Sequence, residues 1–132
     1  MRCDGKGKAI TFLLTPGQQH EITVAERLLE QGAIRRGNGH LRIRPKRVAA
    51  DKGYAFRKYR QYLQRQGIRT TIPRKKNEHQ TGPFDRELYR QRNQVERLIN
   101  RLKQFRRVAT RYDKLASSYA AMLTVAMIFL WL

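Results

Sequence analysis

A chain of 132 residues holds one domain or a piece of one, since domains typically run to about 100–150 residues. Its 29 Lys and Arg against 10 Asp and Glu leave a formal charge of +19, which opposes compaction unless a polyanion neutralises it. Nucleic acid is the first partner this implies and an anionic membrane surface the second, while a 40% hydrophobic fraction excludes wholesale disorder.

Cys3 is the single cysteine, which excludes an internal disulfide and any zinc site built on two thiolates. His20, His40 and His79 are scattered without ligand spacing, so structural zinc is not expected. The start MRCDGKGK has no apolar h-region and hence no secretory signal; with a reduced thiol this points to the cytoplasm.

In chain order, residues 1–4 read as the stump of a strand and DGKGK as a hairpin turn. AITFLLT (9–15) is β-rich and bounded by Gly7 and Pro16-Gly17, which predicts a strand. Residues 20–31 carry Ile22, Ala25, Leu28 and Leu29 at helical spacing, closed by Gly32. A basic loop follows, with room for one short strand. RVAAD (47–51) predicts a buried strand ending at Asp51, with a turn at Gly53. Phe56, Tyr59 and Leu63 define an amphipathic helix from Tyr54 to Gln66, closed by Gly67. IRTTIP (68–73) predicts a strand stopped by Pro73, and residues 74–83 a polar, basic loop. A long helix is expected from about Asp85 to Arg107.

Residues 115–132 contain no charge. That length is the lower limit for a membrane span, and the basic cluster Lys103–Lys114 resembles a positive-inside flank. A helix apolar all round is equally the pattern of a central core helix, and the core helix is the expectation here. Strands alternating with helices predict an α/β architecture in a single domain, 1–132.

The acids fall at telling places. Asp4 closes the first strand stump, Asp51 closes a second strand, and Glu96 sits within a helix. Ligands in α/β sheets bind beyond the carboxyl ends of strands, so these three could converge on one site. Three carboxylates suit hard divalent cations, and two such ions about 4 Å apart clamp the oxygens of a phosphodiester in an in-line displacement. The plainer alternative is that Asp4 is a turn residue, Asp51 a helix N-cap and Glu96 a solvated acid. On a straight helix at about 100° per residue, Tyr89, Arg92, Glu96 and Lys103 share a stripe about 60° wide. Leu88, Val95, Leu98, Ile99, Leu102 and Phe105 form a separate apolar stripe roughly 110° away. One face would then anchor the helix, and the next present a carboxylate flanked by two cations and a phenol.

The spacing Tyr89, two residues, Arg92, three residues, Glu96, six residues, Lys103 resembles the Tyr-Arg-Glu-Lys signature of bacterial insertion-sequence transposases of the DDE type. The surrounding string from Gly82 to Leu132 is similar to the end of the insertion-sequence-five group. VAADKGYAF, with Asp51, resembles the block carrying that family's second catalytic aspartate, and CDGKGKAITFLLTPGQQHE, with Asp4, the block carrying the first. The likeness spans Arg2 to Leu132.

The resemblance implies an RNase H-like catalytic core and metal-dependent cleavage and strand transfer of DNA at transposon ends. It further implies that Asp4, Asp51 and Glu96 are catalytic and hold two Mg²⁺ or Mn²⁺ ions. Lys103 would contact DNA near the scissile end, Arg92 support Glu96 or a phosphate, and Tyr89 position the DNA. The terminal apolar helix would pack on the central sheet. From charge alone, Arg42, Arg44, Lys46, Arg74, Lys75 and Lys76 are the expected DNA-facing cations. The expected partners are transposon-end and target DNA, an upstream-frame transposase segment and, in the complete protein, further copies of itself; no membrane is expected, and the place of action is the nucleoid.

The pattern departs from the family at its start. Asp4 lies three residues in, so most of the first strand is missing, and no end-recognition domain precedes it. The family sometimes divides its transposase between overlapping reading frames, so the chain reads as a downstream frame or a remnant, with Asp4 on a frayed end and weak or no transposition by itself. The alternative function is a catalytically inert DNA-binding fragment that modulates a full-length transposase.

Overall fold

Strands paired in twos and short helices make up the computed structural model, which describes residues 1–17, 22–42, 45–79 and 83–132. The chain divides into two compact units: Met1–Pro16 with Asn93–Leu132, and Gly17–Arg92. Helices and strands are mixed throughout, as an α/β chain requires.

The first unit begins with a hairpin of β1 (Arg2–Cys3) and β2 (Ala9–Thr11), antiparallel with a bulge between Arg2 and Cys3. The turn at DGKGK forms as expected, but the strand predicted over 9–15 stops at Thr11. Its partner is only two residues long, and a strand lasts only as far as it has a ladder to bond. The unit then resumes with α4 (Asn93–Leu102), α5 (Arg106–Thr110) and α6 (Ala116–Trp131). Ala9, Leu98, Leu102, Val108, Leu123, Ala126 and Met127 form its core.

The second unit holds α1 (Ile22–Gln31), a hairpin of β3 (Ile34–Arg35) and β4 (Leu41–Arg42), then β5 (Arg47–Ala49), α2 (Arg57–Arg65), β6 (Arg69–Thr71) and α3 (Arg86–Gln91). Strands β5 and β6 run parallel, with Arg47 opposite Arg69 and Ala49 opposite Thr71, and α2 makes the crossover between them. Ala25 and Leu29 of α1 and Tyr59 and Leu63 of α2, four apart on each helix, face a core completed by Ala55, Ile68 and Ile72. Gly67 ends α2 in the left-handed region (φ 69°). Its N–H bonds Gln64 O and that of Ile68 bonds Leu63 O, each at 2.9 Å, which satisfies two of the helix's last carbonyls.

The long helix expected over 85–107 is three helices. It breaks first at Arg92, whose N–H turns back to Tyr89 O at 3.1 Å. It breaks again after Leu102, where Gln104 and Phe105 donate to Arg101 O and Leu102 O in a tightened turn. Phe105 is extended (φ −77°, ψ 109°), and its ring lies 6.4 Å from that of Phe129. On one straight helix Leu102 and Val108 would stand about 9 Å apart along the axis; the break folds Val108 back into the same core.

The terminal helix also departs from expectation. Leu123, Ala126 and Met127 are buried, but Ile128 and Phe129 are 55% and 62% exposed. Among the described residues α6 packs with α4, α5 and the β2 edge. Among the described residues the strands form separate pairs, so α6 packs on helices and a hairpin edge, not on a central sheet. No helix of the described residues is long and apolar enough to cross a membrane.

The first residues are fastened rather than frayed. Trp131 Nε1 donates to Ala9 O at 2.7 Å, and Lys8 Nζ donates to Trp131 O at 3.0 Å. The turn lies against α4 so closely that a Cβ on Gly7 (φ 78°) would come 2.8 Å from Gln94 Oε1.

Candidate functional site

Asp4 begins the hairpin turn. Its Oδ1 accepts the backbone N–H groups of Lys6 (2.9 Å) and Lys8 (2.8 Å), and its own N–H bonds Lys8 O at 2.9 Å. Both bonds to the side chain end on one oxygen; among the described residues no donor reaches Oδ2. Glu96 is exposed in the first turn of α4, where the helix dipole favours an anion. Because Gly7 abuts Gln94, the Asp4 turn sits on the same end of α4 that carries Glu96.

Asp51 follows β5 at its carboxyl end and caps a 3₁₀ turn, Lys52–Tyr54, with Oδ1 accepting Gly53 N–H at 2.8 Å. This is where ligands bind in parallel α/β units. Asp85 caps α3 by accepting Leu88 N–H (2.9 Å) and pairs with Arg47 at 3.0 Å, tying α3 to the strand that leads to Asp51.

Asp4 and Asp51 thus do perform the local turn and capping roles open to them, each with one oxygen. The carboxylates belong to different units, Asp4 and Glu96 to the first and Asp51 to the second. Among the described residues no group of three or more His, Cys, Asp and Glu is gathered for a metal ion. Chemically the donors fit Mg²⁺ or Mn²⁺: hard carboxylate oxygens, two of them oriented by backbone N–H groups acting on the other oxygen of the same side chain.

The signature residues divide in the same way. Tyr89 is half-buried on α3, its ring 5.3 Å from that of Phe84, with the Arg92 guanidinium 5.3 Å from the Tyr89 centroid. Lys103 is exposed in the turn after α4. Tyr89 lies on α3 with Arg92 at its C-cap, and Glu96 lies on α4 with Lys103 just beyond it, so the four residues expected on one helix fall on two consecutive ones.

Of the expected DNA-facing cations, Arg42, Lys46, Lys75 and Lys76 are exposed and Arg74 is half-buried; Arg44 lies outside the described residues. Arg74 donates to His79 O, and the Lys75 ammonium lies 4.2 Å from the Phe56 centroid. Sequence reasoning missed Arg60, which holds this loop in place. Its Nη2 donates to Ile72 O (3.1 Å) and Pro73 O (3.0 Å) and lies 3.8 Å from Glu78. Burial pushes the Arg60 pKa down, Glu78 opposing it. No sequence signal separates Arg60 from the other arginines of α2. Cys3 packs partly buried against the first unit's core, and burial, reinforced by Asp4, pushes its thiol up.

The transposase DDE domain family matches residues 1–131, and the chain belongs to that family. It is 31% identical over 121 residues to a protein of Burkholderia cepacia described as a transposase for insertion sequence element IS402, covering 91% of this chain and 55% of that protein. The chain thus spans about half the length of that relative. It is 28% identical over 131 residues to a Brucella ovis protein described as a transposase for insertion sequence element IS6501, covering 98% of this chain and 92% of the relative. No solved structure matches the chain.

Proposed function

We propose that this chain is the catalytic portion of a DNA transposase that cleaves phosphodiesters at insertion-sequence ends and transfers the freed 3′-hydroxyl into target DNA. The observation that carries this reading is the family match over residues 1–131, within which Asp4, Asp51 and Glu96 fall in order at a capped turn, a strand end and a helix start. In this reading the three carboxylates act together within an RNase H-like core. Two divalent ions, Mg²⁺ or Mn²⁺, supply charge neutralisation at the phosphodiester when bound. Lys103 holds the DNA near the scissile end, Arg92 grips a phosphate, and Tyr89, braced by Phe84, positions the strand. Arg42, Lys46 and the loop Arg74–Lys76, held by Arg60, meet the DNA backbone by charge.

The test is cleavage and joining of labelled insertion-sequence ends by the purified chain with Mg²⁺ or Mn²⁺, alone and with an upstream transposase segment added. Asp51→Ala or Glu96→Ala should lower cleavage by roughly 10³-fold or more while DNA binding is kept or strengthened, since a negative charge is removed beside phosphate. DNA binding with no cleavage under either condition would instead make the chain an inert binder.

A further inference from the structure

Strands of two and three residues do not hold a hairpin in place by themselves. The Asp4 hairpin is gripped by the far end of the chain, and at one particular point. Lys8 donates its backbone N–H to Asp4 Oδ1 at 2.8 Å, while its ammonium donates to Trp131 O at 3.0 Å and lies 4.6 Å from the indole centroid. The next residue, Ala9, gives its carbonyl to the Trp131 indole N–H at 2.7 Å. So the group that orients the Asp4 carboxylate and the groups that Trp131 grips are consecutive in the chain. Trp131 is 48% exposed, too open for core filling to be its main contribution.

We propose that Trp131, acting with Lys8, is a positioning residue for Asp4. It fixes the return strand of the hairpin, so that Asp4 Oδ1 keeps both backbone donors and Oδ2 stays presented to a divalent cation. This rests on the reading of Asp4 as a metal ligand. A carboxylate whose supporting shell loosens loses metal affinity even though the ligand itself is intact, typically by about 10- to 100-fold.

Trp131→Phe keeps a ring beside Lys8 and removes the indole N–H. In the full chain, Mn²⁺ binding followed by electron paramagnetic resonance should weaken on the order of tenfold. Exchange of the Lys6 and Lys8 amides should quicken while the Leu98 and Leu102 amides on α4 stay protected. Asp4→Asn separates the two ideas. If it leaves Mn²⁺ binding unchanged, Asp4 is not a ligand and the reading beneath this inference fails. If it weakens binding but Trp131→Phe alters neither Mn²⁺ affinity nor Lys6 and Lys8 exchange, the positioning role alone is overturned. Should Trp131→Phe also unprotect α4, Lys8→Met decides. By charge alone, loss of a nearby cation strengthens Mn²⁺ binding; weakened binding supports the tie, and unchanged or stronger binding overturns it.

Discussion

The two units are built on opposite plans. The second, Gly17–Arg92, is one continuous stretch whose core joins neighbours in sequence: α1 on α2, and α2 on the strand that follows it. The first is assembled from the two ends of the chain, with Ala9 packed among residues from Leu98 to Met127. Its last helix carries no charge, whereas the second unit braces its surface with Arg47–Asp85 and Arg60–Glu78. The contrast teaches that the second unit's core closes within one continuous stretch of chain, while the first unit's core draws its residues from both ends.

The largest test of that contrast is one deletion in each core. Leu98 and Leu63 are 1% and 0% exposed, so Leu98→Ala and Leu63→Ala should each cost about 2–5 kcal/mol. Trp131 is the only tryptophan and belongs to the first unit, so its fluorescence during denaturant unfolding reports that unit. Leu98→Ala should shift the tryptophan transition more than Leu63→Ala does; equal shifts would show both units unfolding as one.

A smaller effect sharpens the comparison with a single kind of change. Gly7 and Gly67 both have positive φ, 78° and 69°. An added Cβ meets Gln94 Oε1 at 2.8 Å in the first unit and nothing within 4 Å in the second. Gly67→Ala should therefore cost only backbone strain, about 1 kcal/mol, and Gly7→Ala more, about 1–3 kcal/mol. Adding Gln94→Ala should recover only the steric part of the Gly7 loss in chemical denaturation. Full recovery would mean that φ carries no strain there.

The smallest effect belongs to the second unit. Burial, then the 3.1 Å hydrogen bond to Glu30, pushes the Tyr62 phenol from 10.0 up to about 12. The folded state holds the proton more tightly, so this contribution is whole below pH 10 and is lost as pH rises through about 12. Tyr62→Phe should flatten the pH dependence of stability in that window and leave it unchanged near neutrality. A wild-type slope retained in the variant would assign the effect to another group.

Much of the second unit could be read from residues alone. Ala25 and Leu29 on α1, Tyr59 and Leu63 on α2, and the stop at Gly67 follow from helical period and the left-handed freedom of glycine. A strand leading to Asp51 was legible for the same reason, but it stops at Ala49 and is half-exposed rather than buried, and Asp51 itself caps the following turn. The spacing Tyr89–Arg92–Glu96–Lys103 identified the family without any fold, but the one long helix expected through it is divided into shorter ones. Period continues across Phe105, where the backbone becomes extended, and across Arg92, which keeps right-handed helical dihedrals (φ −52°, ψ −29°) yet ends α3.

Sequence by itself therefore determined the family, the polyanion-seeking charge, the hairpin turn at Asp4 and the helices whose apolar faces recur every three or four residues. Tertiary structure alone decided where the long helical pattern breaks, that α6 buries one face only, and that Trp131 secures the return strand of the Asp4 hairpin. The reason is physical. Turn and helix preferences are properties of a few adjacent residues, but a helix bends, and an indole finds a carbonyl 122 positions away, only in response to what packs against it.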